Sequence, residues 1–462
     1  MALLRIALCA AALLIPMLLR GDESRPNIIF ILVDDLGATD LTCTGSSFYR
    51  TPQIDKLAAE GMRFTNAYSA CTVCSPTRAA FLTGKYPARL HVTDWISGHD
   101  RPFAKLKPPA WTQKLVAEET TIAELLAKNG YATALMGKWH LGPDGEGPTT
   151  HGFATNIGGN HRGQPPSYFF PYERPQIRLP GLEKGVEREY LTDRITDEAV
   201  KWIEAQGDKP FFLYLPHYTV HTPLQAKPDL LAKYQTAKKD SPQKNPTYAA
   251  MIESLDESVG RIAAKLDELK LRERTLIVFT SDNGGLTLNN VTHNLGLRAG
   301  KGSAYEGGVR VPLIVNRPGG VVRGTSDMPV ITCDWFATIA ALAGIRENVP
   351  QADGVDLTPV LSGKGKLERD AIYWHYPHYH PGGATPYSAV REGNLRLVEF
   401  YETGKRELYD LFKDPLESQD LADERPKEAQ RLAHKLSVWR ERVGAQAPVE
   451  NPQYDPAKDG KK

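Results

Sequence analysis

The sequence predicts an α/β protein: a large, doubly wound, mostly parallel sheet flanked by helices, followed by a small C-terminal antiparallel sheet with one helix. Three observations predict it. Residues 27–33 (NIIFILV) and 275–280 (TLIVFT) are unbroken apolar runs rich in β-branched residues, as strands covered on both faces require. Strand-like and helix-like segments alternate over most of the chain. After a helix ending near residue 343 the alternation stops, and beyond residue 366 short strand-like segments follow one another across turns.

Each element has its own signal. Thr51-Pro52 opens an amphipathic helix that ends near Gly61, proline being suited to the first helical position. Ser75 is placed to cap a second helix that begins at Pro76. A helix over 121–129 leads into a strand over 131–136, and a helix over 190–205 into a strand over 210–215. A long helix, 248–271, precedes the second apolar run, and a helix over 334–343 follows it. Residues 354–366 are loop-rich. Strands are then expected at 371–375, 387–391, 395–400 and 407–411, with a covering helix at 427–442. The chain divides into a large N-terminal domain over 22–365, a small α+β subdomain over 366–445, and a tail over 446–462 whose Pro, Gln, Asp and Lys suggest a loose end.

Residues 1–21 carry one early arginine and a short apolar run, which reads as a secretory signal peptide and implies an exported, periplasmic or secreted protein. An uncleaved anchor is second, and a lipid on Cys9 is disfavoured by the Leu8 before it. No stable membrane insertion is expected of the rest. The 56 basic and 55 acidic residues nearly cancel, so nothing suggests a nucleic-acid partner. Cys43, Cys71, Cys74 and Cys333 are too scattered in a chain of 462 residues for a disulfide framework. Cys71 and Cys74 have the spacing of a zinc half-site or a redox pair, but no second ligand pair is evident.

Two oxygen-donor pairs stand at the ends of the two best strands: Asp34-Asp35 and Asp282-Asn283. Ligands bind at the carboxyl edge of such sheets. Adjacent carboxylates are costly there unless a cation neutralises them. Three carboxylates and an amide oxygen suit Ca²⁺, with Mg²⁺ second, better than zinc or copper. Cys74-Ser75-Pro76-Thr77-Arg78 then places a cysteine at a helix start, where partial positive charge favours an anionic oxygen, with Arg78 about one turn further on.

This C-x-P-x-R segment with the downstream Leu82-Thr83-Gly84 resembles the signature of type I sulfatases, members of the alkaline-phosphatase-like superfamily. Gly137-Lys138-Trp139-His140, His221-Thr222-Pro223, Ser281-Asp282-Asn283-Gly284 and Gly300-Lys301-Gly302 resemble further family blocks in the family's order. Leu408-Tyr409-Asp410-Leu411 resembles its C-terminal subdomain. The resemblance implies that a maturation enzyme oxidises Cys74 to formylglycine. It also implies a cation held by Asp34, Asp35, Asp282, Asn283 and the modified Cys74. One hydroxyl of the hydrated aldehyde would attack sulfur and the other would later expel sulfate, a step serine cannot make. His140 would be the base for that release, and Lys138 and Lys301 would bind sulfate oxygens. His221, with Lys301, would protonate the leaving oxygen. Arg310 is read as a brace for a carboxylate.

The expected substrate is a sulfated sugar or other sulfated small molecule, processed from an exposed end; the resemblance favours galactose or N-acetylgalactosamine. Asp94 and Trp95, the run Asn160, His161 and Arg162, and His375 and His378 supply aromatic faces and polar groups for it. Asn160 or His161 is the expected sulfate-binding side chain of its loop. Two alternatives stay open: a phosphonate or phosphate monoester hydrolase of the same superfamily, and an unmodified carbohydrate-binding relative.

Overall fold

Strand β1 (Asn27–Val33) decides the architecture, because it has no solvent face. Ile29, Ile31 and Val33 enter one core and Ile28, Phe30 and Leu32 another. Such a strand needs helices on both sides. The computed structural model, which describes residues 25–172, 177–238, 240–347 and 349–459, supplies them. The remaining strands of the large sheet are β2 (Met62–Phe64), β3 (Ala132–Met136), β4 (Thr155–Ile157), β5 (Phe211–Pro216), β6 (Thr275–Ser281), β7 (Leu313–Asn316) and β8 (Gly324–Ser326). They lie in the order β8-β2-β7-β6-β1-β5-β3-β4, and only β7 runs against its neighbours. The doubly wound, mostly parallel sheet is as the sequence predicts. The three- and four-residue strands β2, β4, β7 and β8 were not anticipated, since so few residues show no periodicity.

Among the described residues, the helices longer than four residues are α1 (Pro52–Ala59), α2 (Cys74–Thr83), α3 (Ile122–Lys128), α4 (Leu191–Glu204), α5 (Pro228–Gln235), α6 (Pro246–Glu268), α7 (Asp334–Leu342) and α8 (Pro426–Val443). α1, α4, α5 and α6 pack on one face of the sheet, burying Ile54, Ile195, Leu230 and Leu255. α2, α3 and α7 pack on the other with Phe81, Leu126 and Phe336. Phe30 of β1 stacks on Phe81 of α2 with ring centroids 3.9 Å apart, which fixes α2 against the sheet. Truncating such a buried ring costs about 3–5 kcal/mol.

The C-terminal part is an antiparallel sheet of β9 (Ile372–Tyr376), β10 (Tyr387–Glu392), β11 (Leu395–Phe400) and β12 (Arg406–Asp410), covered by α8. Trp439 of α8 stacks on Tyr373 with 4° between the ring planes. Tyr68, Val73, Ala80 and Tyr86 of the large domain join the same core, so the small sheet is docked on α2.

Two expectations are corrected. The tail is not loose: Val449–Glu450 pairs antiparallel with Leu106–Lys107, and Asn451 Nδ2 donates to the carbonyls of Pro102 (2.9 Å) and Ala104 (2.7 Å). Backbone pairing of this kind leaves no trace in a polar composition. Helix α2 also begins earlier than expected. Val73 is its cap residue, and Ser75 Oγ instead donates to the His140 carbonyl (2.9 Å) and accepts from the Ile96 amide (3.1 Å). The signal-peptide segment lies outside the described residues. Among the described residues no helix is long and apolar enough to cross a membrane, and the four cysteines are unpaired.

Candidate active site

β1 and β6 are adjacent and parallel, with Val33 opposite Ser281. Asp34-Asp35 and Asp282-Asn283 therefore leave the sheet side by side, although 247 residues separate them in sequence. The Asp35 amide donates to Asp282 Oδ1 at 3.2 Å, and Asn283 Nδ2 to Asp35 Oδ1 at 2.8 Å. The start of α2 brings Cys74 to the same point: ligand atoms of Asp34, Cys74 and Asp282 lie within 4.8 Å of one another, as do those of Asp34, Asp35 and His221. All are buried except His221, which is partly exposed.

Three cations face the three carboxylates. Arg78 donates from Nε (3.0 Å) and Nη2 (2.6 Å) to Asp282 Oδ2, and from Nη1 to the Lys138 carbonyl (3.2 Å). Lys138 Nζ lies 2.8 Å from Asp34 Oδ2. Lys301 Nζ lies 2.6 and 2.9 Å from the two Asp35 oxygens and 3.8 Å from Cys74 Sγ. Formal charges thus cancel in a dry interior. A divalent cation added to the cluster leaves an excess of positive charge, which suits an anionic ester.

Two oxygens test whether a cation fits. Asp34 Oδ1 and Asn283 Oδ1 are buried and have no hydrogen-bond partner. Orphaned acceptors of this kind are rare and costly. Both belong to the oxygen set that the sequence assigns to the ion, and hard oxygen donors are what Ca²⁺ and Mg²⁺ take. The residues fit the group. Burial pushes the Asp34 carboxyl up, Lys138 opposing it. Burial acts on Asp35 too, but Lys301, His221 and Asn283 together outweigh it and hold that carboxyl well below the usual range. Burial also pushes the Cys74 thiol up, so the unmodified residue is a neutral thiol and a poor nucleophile.

The two histidines differ in tautomer. His140 Nε2 donates to the Ile96 carbonyl, while Nδ1 is buried without a partner. Burial, then Lys138, keeps this ring neutral. A neutral ring protonated on Nε2 has its lone pair on Nδ1, the state of a base. His221 Nδ1 donates to the Thr222 carbonyl at 2.8 Å, turning Nε2 to within 3.7 Å of Asp35 Oδ2. Burial and Lys301 hold its pKa down to about 3. At rest its Nε2 is therefore an acceptor. Lys301 is the charged member of the pair: burial opposes its charge, but Asp35 raises its pKa above the ordinary lysine value.

A cavity of about 900 Å³ opens over Cys74, His140, His221 and Lys301. Trp95, His161 and Arg162 line it, as expected of substrate residues. Asn160 does not. Its Nδ2 donates to the Arg178 carbonyl (2.8 Å) and its Oδ1 accepts the Arg162 amide (2.9 Å), so it holds the loop that presents its neighbours. His375 is also corrected: it is buried in β9, with its ring nitrogens on Ser388 Oγ (2.8 Å) and the Gln446 carbonyl (2.9 Å). Asp94 and His378 border a separate, neighbouring cavity. Arg310 braces backbone, donating to the Thr65 carbonyl, and lies 3.5 Å from Glu306. Gln164 and His380, from the same two candidate stretches of the sequence, are also on the main cavity wall, and Ser97 is a wall residue that sequence reasoning missed. His380 had a signal, the alternation of His378 and His380 along an extended run.

Three buried cations around one buried side chain at a sheet edge, open to a large cavity, define a hydrolase of anionic esters. Comparison with known proteins narrows the class. The sulfatase family model matches residues 26–345, and the model for the C-terminal part of N-sulphoglucosamine sulphohydrolase matches 300–442. The chain belongs to the sulfatase family and is a sulfuric ester hydrolase. It is 32% identical to human arylsulfatase A, covering 86% of this chain and 83% of that one. It is 30% identical to a sulfatase of Formosa agariphila over 90% of this chain and 89% of the relative. A crystal structure of Ps i-CgsB in complex with k-i-k-neocarrahexaose superposes with a TM-score of 0.77 at 30% identity, covering 94% of this chain and 96% of that one.

Proposed function

We propose that this protein is an exported, Ca²⁺-dependent sulfatase that removes a sulfate ester from an exposed end of a sulfated carbohydrate, with Cys74 converted to formylglycine by a maturation enzyme. The observation that carries the reading is the pair of orphaned oxygens, Asp34 Oδ1 and Asn283 Oδ1, beside Cys74 and among Arg78, Lys138 and Lys301. The complex of the structural relative with k-i-k-neocarrahexaose supports a saccharide substrate.

Ca²⁺ at Asp34, Asp35, Asp282, Asn283 and residue 74 would supply the charge that acidifies a neighbouring hydroxyl. Oxidation of the Cys74 thiol to an aldehyde, and its hydration, would supply two hydroxyls, one to attack and one to release product. The chain does the rest. Arg78 fixes Asp282 and the Lys138 carbonyl, so the metal ligands and the lysine are set before substrate arrives. Lys138 and Lys301 hold sulfate oxygens and stabilise the charge that builds on them. His140 Nδ1, already deprotonated, takes the proton in the release step. The Lys301–His221 pair faces the leaving oxygen, with the mobile proton resting on Lys301 Nζ.

Mass analysis of the peptide containing Cys74, with kinetics on matched sulfate, phosphate and phosphonate esters, tests the reading. The expected result is an aldehyde at position 74 and the highest kcat/KM on sulfate. An unmodified thiol in active protein, or preference for a phosphonate, would overturn it. Turnover of 4-nitrophenyl sulfate but of no sugar sulfate would remove the carbohydrate part alone.

A further inference from the structure

A second cavity, of about 560 Å³, adjoins the one over Cys74. The partition between them is built from three chain segments, and each sends neighbouring residues to opposite sides. Trp95 and Ile96 face the main cavity and Asp94 the second; Ser97 borders both. Thr112 faces the main cavity and Trp111 the second. His380 faces the main cavity and His378 the second. Tyr379, between the two histidines, anchors the partition: its hydroxyl accepts the Leu106 amide (3.0 Å) and donates to Glu402 (2.9 Å).

The lining of the second cavity has the chemistry of a sugar site. Trp111 is half-buried and braced edge-on by the His378 ring, with centroids 5.6 Å apart. His378 is held in turn by Thr93 Oγ1, 2.8 Å from Nε2. Asp94 is fixed by the Tyr376 hydroxyl at 2.8 Å. Arg101, ion-paired with Asp459, and Gln453 also line the cavity, the latter carried there by the paired C-terminal tail. A fixed indole with a few oriented polar groups, in a volume within the usual range for small ligands, is what a pyranose ring requires.

We propose that this second cavity binds the sugar residue linked to the sulfated one, so that the protein acts on oligosaccharides in preference to free monosaccharide sulfates. The inference rests on the sulfated-carbohydrate reading above and deepens it. The sulfated end occupies the cavity over Cys74, and the next residue passes Ser97, the one side chain common to both cavities. Trp111 then acts on specificity without touching the reacting atoms.

The test uses the full mature protein and a panel of galactose and N-acetylgalactosamine O-sulfates. Each sugar is offered free and as the non-reducing end of a disaccharide. The expected wild-type kcat/KM is at least tenfold higher for the disaccharide of the best sugar. Trp111→Ala brings that ratio close to one, mainly through KM, and Trp111→Phe retains most of it, which separates lost stacking from lost folding. A wild-type ratio near one, or a ratio unchanged in Trp111→Ala, overturns the second site while leaving the sulfatase reading intact. Turnover of 4-nitrophenyl sulfate with no sugar turned over overturns both the carbohydrate reading and the second site.

Discussion

Gly302 has no room for a side chain because His380 occupies the place: a Cβ on Gly302 would stand 1.7 Å from the imidazole Nδ1. Its φ is +73°, and its carbonyl accepts the Ala384 amide at 2.9 Å. The loop that carries Lys301 is thereby clamped to a loop of the small C-terminal sheet. Gly302→Ala should cost about 1–3 kcal/mol through overpacking and the left-handed backbone, and lower kcat/KM at least tenfold by displacing Lys301. Urea denaturation and steady-state kinetics measure both. Adding His380→Ala should recover stability, because it removes the obstacle; a double variant no more stable than Gly302→Ala alone would show that the imidazole is not what excludes the side chain.

The orphaned oxygens of Asp34 and Asn283 make a prediction about metal removal. Chelation should abolish hydrolysis of 4-nitrophenyl sulfate and lower stability together, since two buried oxygens are left without a partner. A ligand present at a hundredfold excess over its Kd contributes about 2.7 kcal/mol, so denaturation with and without Ca²⁺ should differ by roughly that amount. Asn283→Ala should lose most of the Ca²⁺-dependent difference. Stability indifferent to Ca²⁺ in the wild type would count against the cation site.

The meeting of Asp34-Asp35 with Asp282-Asn283 was legible in the sequence because each half is a pair of adjacent oxygen donors at the end of a long apolar strand, and the parallel sheet does the rest. Cys74 and Arg78 were legible for the same reason of locality, as residues one helical turn apart. The cavity-lining residues were legible only in part: Trp95, His161 and Arg162 line the main cavity, but Asn160 and His375 do not. Asn160 and His375 have the right chemistry, but their polar atoms are engaged by the Arg178 and Gln446 carbonyls and by Ser388. Those partners lie 18, 71 and 13 residues away, and no local pattern reports them. The pairing of residues 449–450 with 106–107 was hidden likewise, being a matter of backbone and not of side chains.

Asp94 gives a pH dependence that is independent of the metal. Burial pushes its carboxyl up to about 7, although the Tyr376 hydroxyl and the Trp95 and His99 amides hydrogen-bond to it and oppose the shift. The His378 ring lies 3.9 Å away, and its own pKa is held down to about 3. A carboxyl that binds its proton more tightly when folded stabilises the fold below its unfolded pKa, near 4. That contribution is lost as pH rises through about 7. Denaturation at pH 5 and pH 8 should show a loss in the wild type of up to about 3 kcal/mol that Asp94→Asn does not share. Parallel pH profiles for the two proteins would refute the assignment.

Arg396 ties the small sheet to the catalytic loop through charge. It is fully buried in β11, paired with Glu417, 3.5 Å from Glu306, and donates to the Ala304 carbonyl at 2.6 Å. Glu417 in turn accepts the Glu306 amide at 2.6 Å, five residues after Lys301. Removing one member of a buried ionic cluster leaves the others uncompensated and costs about 3–5 kcal/mol. Arg396→Met should therefore destabilise the protein by that amount and weaken activity, because the segment that positions Lys301 loses its anchor. Replacing Glu417 by Gln in the same chain removes one stranded charge and should restore part of the stability. Equilibrium denaturation of the two single variants and the double variant gives the coupling directly. Additive losses would mean that Arg396 acts through packing on Trp374, whose ring lies 5.4 Å from the guanidinium, and not through the carboxylates.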